Sequence, residues 1–580
     1  MCALCVVASA VCELMLPMLM STIINIGVAQ ADFQLVLWNS GIMVAWAFAS
    51  MAFNIVAQAF SARISSGFGR NIRNAIYLHV TNFSTYEMNK LGTSTLITRT
   101  TNDVQQLERF VQMALSIVIK APTMFVGSVA MSLIASPTLS MVSLCAIPVI
   151  LLAAIIIMRI CMPLMRSLQK KIDKLNLVTR EGLSGILVIR SYRKEEHEQK
   201  RFEKANKDLA QTNVSVSRRI SLLMPAITLI LNLVIVVILW IGANLINNSA
   251  IEVGTLMAVI EYSTHVLISV VFMSGIILIA PRALAAAERI NQALNTKITI
   301  VDTEFDKQQT IQPASAHEVR FENVSFTYPE SSKQALSNIN LTFEAGKTYV
   351  VIGATGSGRS TIANLIEKFI EPSSGRILID GIDISKVTQK NLRTLIAYAP
   401  QKTVLFSGSI ADNISYGRTD ATKEEIEQAA KDALAYDFIS KKPDGFNTFV
   451  TQAGTNLSGG QKQRVSIARA MMKKSGLYIF DDSFCALDFQ TEMDVRSNLR
   501  LHSKDATMIM IAQRVNTAMD ADCVLVLNEG KVVGFAPHDE LIKTCETYKE
   551  IAASQLEDED LQKETAKRRI KDKQDKTKEV

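Results

Sequence analysis

Three stretches of this chain carry residues whose types and spacing could bind a phosphate and act on it. The first is Gly353, Ala354, Thr355, Gly356, Ser357, Gly358, Arg359, Ser360 and Thr361. Its glycines let backbone N–H groups close around an anion, with a cation and two hydroxyls following. The second is Leu457-Ser458-Gly459-Gly460-Gln461, a glycine-rich turn opening a helical pattern at Val465, Ile467, Ala468, Ala470 and Met471. Backbone N–H groups at a helix N-terminus make an anion site. The third is Leu477-Tyr478-Ile479-Phe480, a buried-strand run ending in Asp481 and Asp482. A carboxylate at the C-terminal end of a strand is well placed to hold a metal beside a phosphate.

These groups need strands and helices to deliver them. Tyr349–Ile352 reads as the strand that feeds the first loop, and Val319–Tyr328 alternates as a strand should. Residues 300–318 are polar and aperiodic, which places a boundary there. The expected domains are 1–300, a linker at 301–318, a second domain at 319–554 and a tail at 555–580. The tail has almost no apolar residues and dense mixed charge, so it cannot bury a core.

The first half has a different composition. The chain has 580 residues, 48% of them hydrophobic, and the apolar excess sits before residue 300. Runs of about 20 apolar residues span a bilayer as helix. Six such runs lie near 3–26, 36–62, 111–135, 138–162, 220–246 and 255–281. The connections Gly27–Gln34, Ser136–Thr138 and Asn247–Gly254 hold no Lys or Arg, whereas Arg63–Lys120 and Arg159–Arg219 are long and basic. Basic loops stay cytoplasmic, so the N-terminus is expected inside. The long inner segments keep helical periodicity, with breaks near Gly92 and Gly182–Gly185. The eight cysteines show no metal-ligand spacing and read as free thiols. Inside the spans, Glu13, Glu261 and His265 are costly polar residues. Glu261 and His265 share a helix face and read either as a cavity-lining pair or as a pair satisfied by neighbouring helices.

Phosphate loop, glycine turn and strand-end aspartate in this order resemble the ATP-binding-cassette (ABC) family, whose signature is the LSGGQ element. Six long helices ahead of the cassette are similar to its exporter type. The fold this implies is an α-helical membrane domain of six long transmembrane helices fused to an α/β P-loop NTPase nucleotide-binding domain. Gly92–Asp103 and Glu181–Arg190 look like that family's two coupling segments. Related chains carry an amphipathic elbow before the first span; Met1 begins almost inside it here, which leaves a truncated or misassigned start open.

The resemblance implies ATP and Mg²⁺ as cofactors and a role for each matching position. Tyr328 would stack on adenine, Gly353–Thr361 cradle the phosphates, Ser360 ligate Mg²⁺ and Thr361 reach the α-phosphate. Gln401, in Ala399-Pro400-Gln401, would touch Mg²⁺ and report the γ-phosphate; Asp481 would support the metal. Three positions depart from the family pattern: Arg359 stands for the usual Lys, Asp482 for the catalytic Glu and Gln513 for the switch His. Cys485-Ala486-Leu487-Asp488 resembles the loop that crosses the dimer interface, usually with Ser first. Ser458, Gly459, Gly460 and Gln461 are intact. Cassettes pair head to tail, so the expectation is one half of a heterodimeric, multidrug-like exporter with a degenerate site of its own. The alternatives are a homodimeric lipid or peptide exporter, and an ATP-gated channel or regulatory ATP-binding protein. Expected partners are a second half-transporter, membrane lipids and hydrophobic small-molecule cargo, with no nucleic acid. The expected location is a bacterial inner membrane.

Overall fold

The computed structural model describes residues 1–302, 308–329 and 331–555. Its contacts divide the chain into two units: Met1–Thr81 with Leu91–Thr296, and Asn82–Lys90 with Lys297–Val580.

The first unit is helical. In lipid a segment must satisfy its own backbone, and apolar runs do so as helices. They are α1 (Cys2–Thr22) and α2 (Phe33–Val80), then, after α3 (Thr85–Leu91), α4 (Thr93–Thr98), α5 (Val104–Met113) and α6 (Ile119–Ala135). There follow α7 (Pro137–Ser184), α8 (Ile186–Ser191), α9 (Glu195–Ser221), α10 (Leu223–Asn247) and α11 (Val253–Leu294). Single π turns, Arg99–Asp103 and Ala114–Val118, join α4, α5 and α6. Among the described residues, five helices are long and apolar enough to cross a membrane: Cys2–Val28, Phe33–Val80, Thr93–Ala135, Glu195–Asn247 and Val253–Met273. The remaining expected span, 138–162, falls inside α7, where the described apolar stretch is Pro137–Leu152. Helices α2 and α7 each run 48 residues. At ~1.5 Å per residue they far exceed a hydrocarbon core of ~30 Å, so their polar ends extend beyond it. Serine hydroxyls bridge neighbouring helices where small side chains allow close approach, as in Ser9–Ser50, Ser132–Ser140 and Ser143–Ser263.

The stretch that belongs with the second unit is Asn82–Lys90, which carries α3, and not Gly92–Asp103. Gly92–Asp103 stays in the helical unit, where buried Asp103 accepts two hydrogen bonds from Arg289 of α11, at 2.6 and 2.8 Å. Asn82–Lys90 is instead pinned by buried Glu87, which accepts from the Ser84 N–H and the Thr299 hydroxyl. The second break falls as expected, at Gly185 between α7 and α8.

The second unit is built on a six-stranded sheet. Its strand order is Lys531–Ala536, Cys523–Asn528, Thr348–Gly353, Thr507–Ile511, Leu477–Asp481 and Ile396–Ala399. The central strands are parallel and buried along their length, which is why they read as unbroken apolar runs. Val319–Phe326 lies in a separate antiparallel sheet with Leu336–Phe343 and Ser374–Ile379. Parallel register sets Asp481 opposite Ile511 and Ile511 opposite Val351, so three strands end side by side. The residues just past those ends are the phosphate loop, Asp482 and Gln513.

The expected linker is in part a structured lead-in. Ile311 is buried and its backbone N–H and C=O both bond the Asn391 side chain. His317 is buried against the carboxylate of Asp380, 2.6 Å away. The charged tail lies outside the described residues apart from Gln555.

Candidate nucleotide site

The phosphate loop leaves the sheet at Gly353 and enters the helix Arg359–Ile366. Gly356 (φ 82°) and Gly358 (φ 99°) occupy left-handed backbone that side chains disfavour. At Gly353 a side chain would press within 2.3 Å of the Leu527 carbonyl and 2.5 Å of the Ser357 hydroxyl. The Ser357 hydroxyl is buried and, among the described residues, has no hydrogen-bond partner. An orphaned polar atom inside a glycine cradle suits a phosphate oxygen. The cleft above it measures about 650 Å³ and is walled by Tyr328, Lys333, the loop, Gln401 and Glu529. That is ample for a nucleoside triphosphate.

Each expected residue takes a definite position. Tyr328 is 40% exposed, packs edge-on against Phe326 at 4.8 Å, and lies 3.2 Å from the Thr361 hydroxyl. Its side chain lines the cleft. Ser360 donates to Asp481 Oδ1 at 2.9 Å. Burial pushes the Asp481 carboxyl above the usual range; the Ser360 hydrogen bond and the Arg359 charge pull it back, while Asp482 adds to the rise. Hydroxyl, carboxylate and the Gln401 amide oxygen form a hard-oxygen set of the kind Mg²⁺ takes together with phosphate.

The three departures lie close together, and two of them are bonded directly. Arg359 does not stand free in the cradle: its Nη1 donates to the Ala512 carbonyl at 2.9 Å. Burial draws its pKa down, and Asp482 and Asp481 oppose that. Asp482 holds a left-handed backbone (φ 48°), with its N–H on the Ile511 carbonyl. A single carboxylate oxygen of Asp482, Oδ2, accepts both the Gln401 amide at 3.3 Å and the Gln513 amide. Sequence reasoning named these residues but could not see that Gln513 and Gln401 bind Asp482, or that Arg359 reaches the Ala512 carbonyl.

The signature lies apart from this cleft; among the described residues that line it, none belongs to Ser458–Gln461. Ser458 caps the helix Gly459–Met472 reciprocally. Its hydroxyl accepts from the Gln461 N–H, and its own N–H donates to the Gln461 side chain. Ser458 and Gly459 are exposed and Leu457 anchors the turn in the core. Buried Gln463 then links this helix to the interface loop, accepting from the Ala486 N–H at 2.9 Å and donating to Cys485 Sγ at 3.2 Å.

Two functional candidates escaped the sequence reading. Gln555 was assigned to the tail, yet it accepts from the Val515 N–H and donates to the Gln513 carbonyl, both at 2.8 Å. Its signal was weak, one amide at the edge of a charged stretch. Lys120 was counted with a basic loop but sits in α6, 2.7 Å from Glu13. A charge inside the 111–135 apolar run was the available signal. Of the other membrane candidates, His265 lines the cavity beside Glu13, whereas half-exposed Glu261 does not; the two lie 3.8 Å apart.

This fold and site define an ATP-driven membrane transporter of the cassette type. Residues 1–271 match the ABC transporter transmembrane region and residues 336–484 the ABC transporter domain. The chain is 36% identical to YfiB, an ABC transporter ATP-binding protein of Bacillus subtilis, over 94% of each protein. An ABC transporter ATP-binding protein of Mycobacterium tuberculosis is also 36% identical, again over 94% of both chains. Bacillus subtilis YfiC is 32% identical, over 85% of this chain and 81% of that one. The solved structure of a bacterial Atm1-family ABC exporter with ATP bound aligns at TM-score 0.80 and 25% identity, covering 96% of this chain and 98% of the other. The chain therefore belongs to the ABC transporter family, as an exporter half-transporter with fused transmembrane and ATP-binding domains. It is a multi-pass membrane protein with a cytoplasmic ATP-binding domain, and its transport is coupled to ATPase activity.

Proposed function

We propose that this chain is the degenerate-site half of a heterodimeric exporter of hydrophobic or amphipathic cargo. Its own phosphate loop holds Mg²⁺-ATP with little hydrolysis, and Ser458–Gln461 completes the hydrolytic site of a partner. The observation that carries the reading is the Asp482 carboxylate, which takes two side-chain amides on one oxygen. A general base must reach the proton it removes. Asp482 is about one methylene shorter than the family's Glu, and a misplacement of ~1 Å can cost around a hundredfold in rate. Gln513 can hydrogen-bond but cannot become cationic. Arg359 neutralises phosphate as a planar fork in place of a compact ammonium, which alters the geometry around the transferring group.

In this reading Tyr328 orients the base, Gly353–Thr361 hold the phosphates, and Ser360, Gln401 and Asp481 hold Mg²⁺. Closure of the paired cassettes passes through Asn82–Lys90 and the Gly185 break to the membrane helices. The opposite half-site turns over and resets the cycle. Photocrosslinking the co-purified complex with an azido-ATP after turnover tests this. Uncleaved triphosphate is expected on this chain and diphosphate on the partner. Equal diphosphate on both chains would remove the reading.

A further inference from the structure

The helical unit encloses a cavity of about 380 Å³. Its walls come from α1, α2, α11 and the π turn Ala114–Val118 with the start of α6. Val6, Met124, Ile268 and Phe272 are apolar residues of the wall. The same wall carries Glu13 and Lys120, with Asn54 and Gln58 also lining the cavity. Both charges lie within candidate membrane spans.

A wall that only had to hold hydrophobic cargo would have no use for charges, which are costly in a membrane helix unless paired. Here they are paired, and the pair is incompletely satisfied. Lys120 Nζ donates to Glu13 Oε1 at 2.7 Å, and the Ser50 hydroxyl donates to the same oxygen at 3.3 Å. Among the described residues, no partner is recorded for Glu13 Oε2 or for the two other ammonium N–H groups of Lys120. The side chains remain 27% and 32% exposed, respectively, at the cavity wall. The backbone beside Lys120 is irregular as well. A π turn precedes it, and Pro122 has no N–H to give the Val118 carbonyl. Such π segments frequently mark functional sites.

We propose that this cavity binds a zwitterionic amphiphile: an apolar body that carries one ammonium and one acidic group. A ligand with only a cation would answer Glu13 Oε2 and leave the free Lys120 N–H groups unmet; one with only an anion would do the reverse. Leaving a polar group of this part-buried pair unmet costs free energy. A zwitterion supplies an acceptor to the free Lys120 N–H groups and a donor to Glu13 Oε2, so neither is left unmet. Its apolar body lies against Ile268 and Phe272. His265, the remaining titratable group of the wall, is directed toward Glu261 on its own helix at 3.8 Å. The proposal names a cargo class for the exporter reading above and rests on it for transport, but binding is measurable without ATP.

The test is equilibrium binding to the full transporter in phosphatidylglycerol nanodiscs, which present no ammonium headgroup. The probe is a radiolabelled hydrophobic tripeptide in four forms: both termini free, N-acetylated, C-amidated, and blocked at both ends. The free form should bind on the order of tenfold more tightly than either singly blocked form. Glu13→Gln combined with Lys120→Met, which removes both charges together, should level that ranking. Competition by lysophosphatidylethanolamine would assign a lipid source, and competition by peptides alone a peptide source; both support a zwitterion. Equal binding of all four forms to the wild type would overturn the proposal, whether or not the variant folds. So would an unchanged ranking in a folded double variant. Neither result bears on which ATP site turns over.

Discussion

The nucleotide-binding domain carries two half-sites, and they have been built differently. On the phosphate-loop side the polar groups are turned on one another. Arg359 reaches the Ala512 carbonyl, and Asp482 takes the amides of Gln401 and Gln513. On the signature side the helix N-terminus is capped by its own Ser458 and Gln461, and Ser458 and Gly459 stay exposed. The first holds its side chains in hydrogen bonds beside the cleft; the second keeps a capped turn at the surface. A longer cation, a shorter acid and an uncharged switch residue fit together as a set, and the other half-site needed no such changes. What the contrast teaches is that a cassette can change residues on its phosphate-loop side while the signature turn keeps its capped geometry.

The largest expected effect breaks the signature side. Ser458→Arg places a bulky cation in the capped turn and should lower turnover of the assembled transporter by ~100-fold or more, the scale of losing transition-state donors. Asp482→Asn should change it by no more than about twofold. The reverse order, read in a coupled ATPase assay of the co-purified complex, contradicts the contrast. Restoring the family residues together, Arg359→Lys, Asp482→Glu and Gln513→His, should raise turnover of this chain alone by ~10- to 100-fold. No rise would mean that the departures are not what limits the site.

Smaller effects sharpen the comparison. Glu367, where the phosphate-loop helix ends, is buried with one carboxylate oxygen lacking a hydrogen-bond partner among the described residues. Burial pushes its pKa up to about 7, against the pull of Lys473 and Arg393. An acid whose folded pKa is raised stabilises the fold below its unfolded pKa, and that stability is lost as pH climbs through the folded value. The wild-type melting temperature should therefore drop by roughly 5 °C between pH 5 and 8 on account of this group, and Glu367→Gln should flatten the slope. A scanning-fluorimetry series across that window reads the difference. Gln555→Ala removes two hydrogen bonds from the switch segment, each worth about 1 kcal/mol. Faster amide exchange around Gln513–Val515, with the Ser458 turn unaffected, is the expected signature.

Much of this was legible in the chain because the chemistry is local. A glycine cradle, a capping Ser458 with Gln461 three residues on, and an apolar strand ending in Asp481 are all contiguous. Long apolar runs likewise announce membrane helices. What could not be read depended on which distant group fills a need. The helical run does break at Gly92, but its sequence gives no sign that Glu87, held by Ser84 and Thr299, groups Asn82–Lys90 with the second unit. The stretch before Val319 is polar and aperiodic, and only its distant partners Asn391 and Asp380 show why Ile311 and His317 are buried. Lys120 passed for a loop cation until Glu13, on another helix, appeared beside it. The convergence of Gln401 and Gln513 on one oxygen of Asp482 is tertiary in the same way.

The most direct measurement is vanadate-sensitive ATP turnover of the purified chain in lipid, alone and then with a co-purified partner half. The two half-sites as described predict near-zero turnover alone and robust turnover in the pair. Full turnover of the chain alone would show Arg359, Asp482 and Gln513 to be competent and would contradict the heterodimer account.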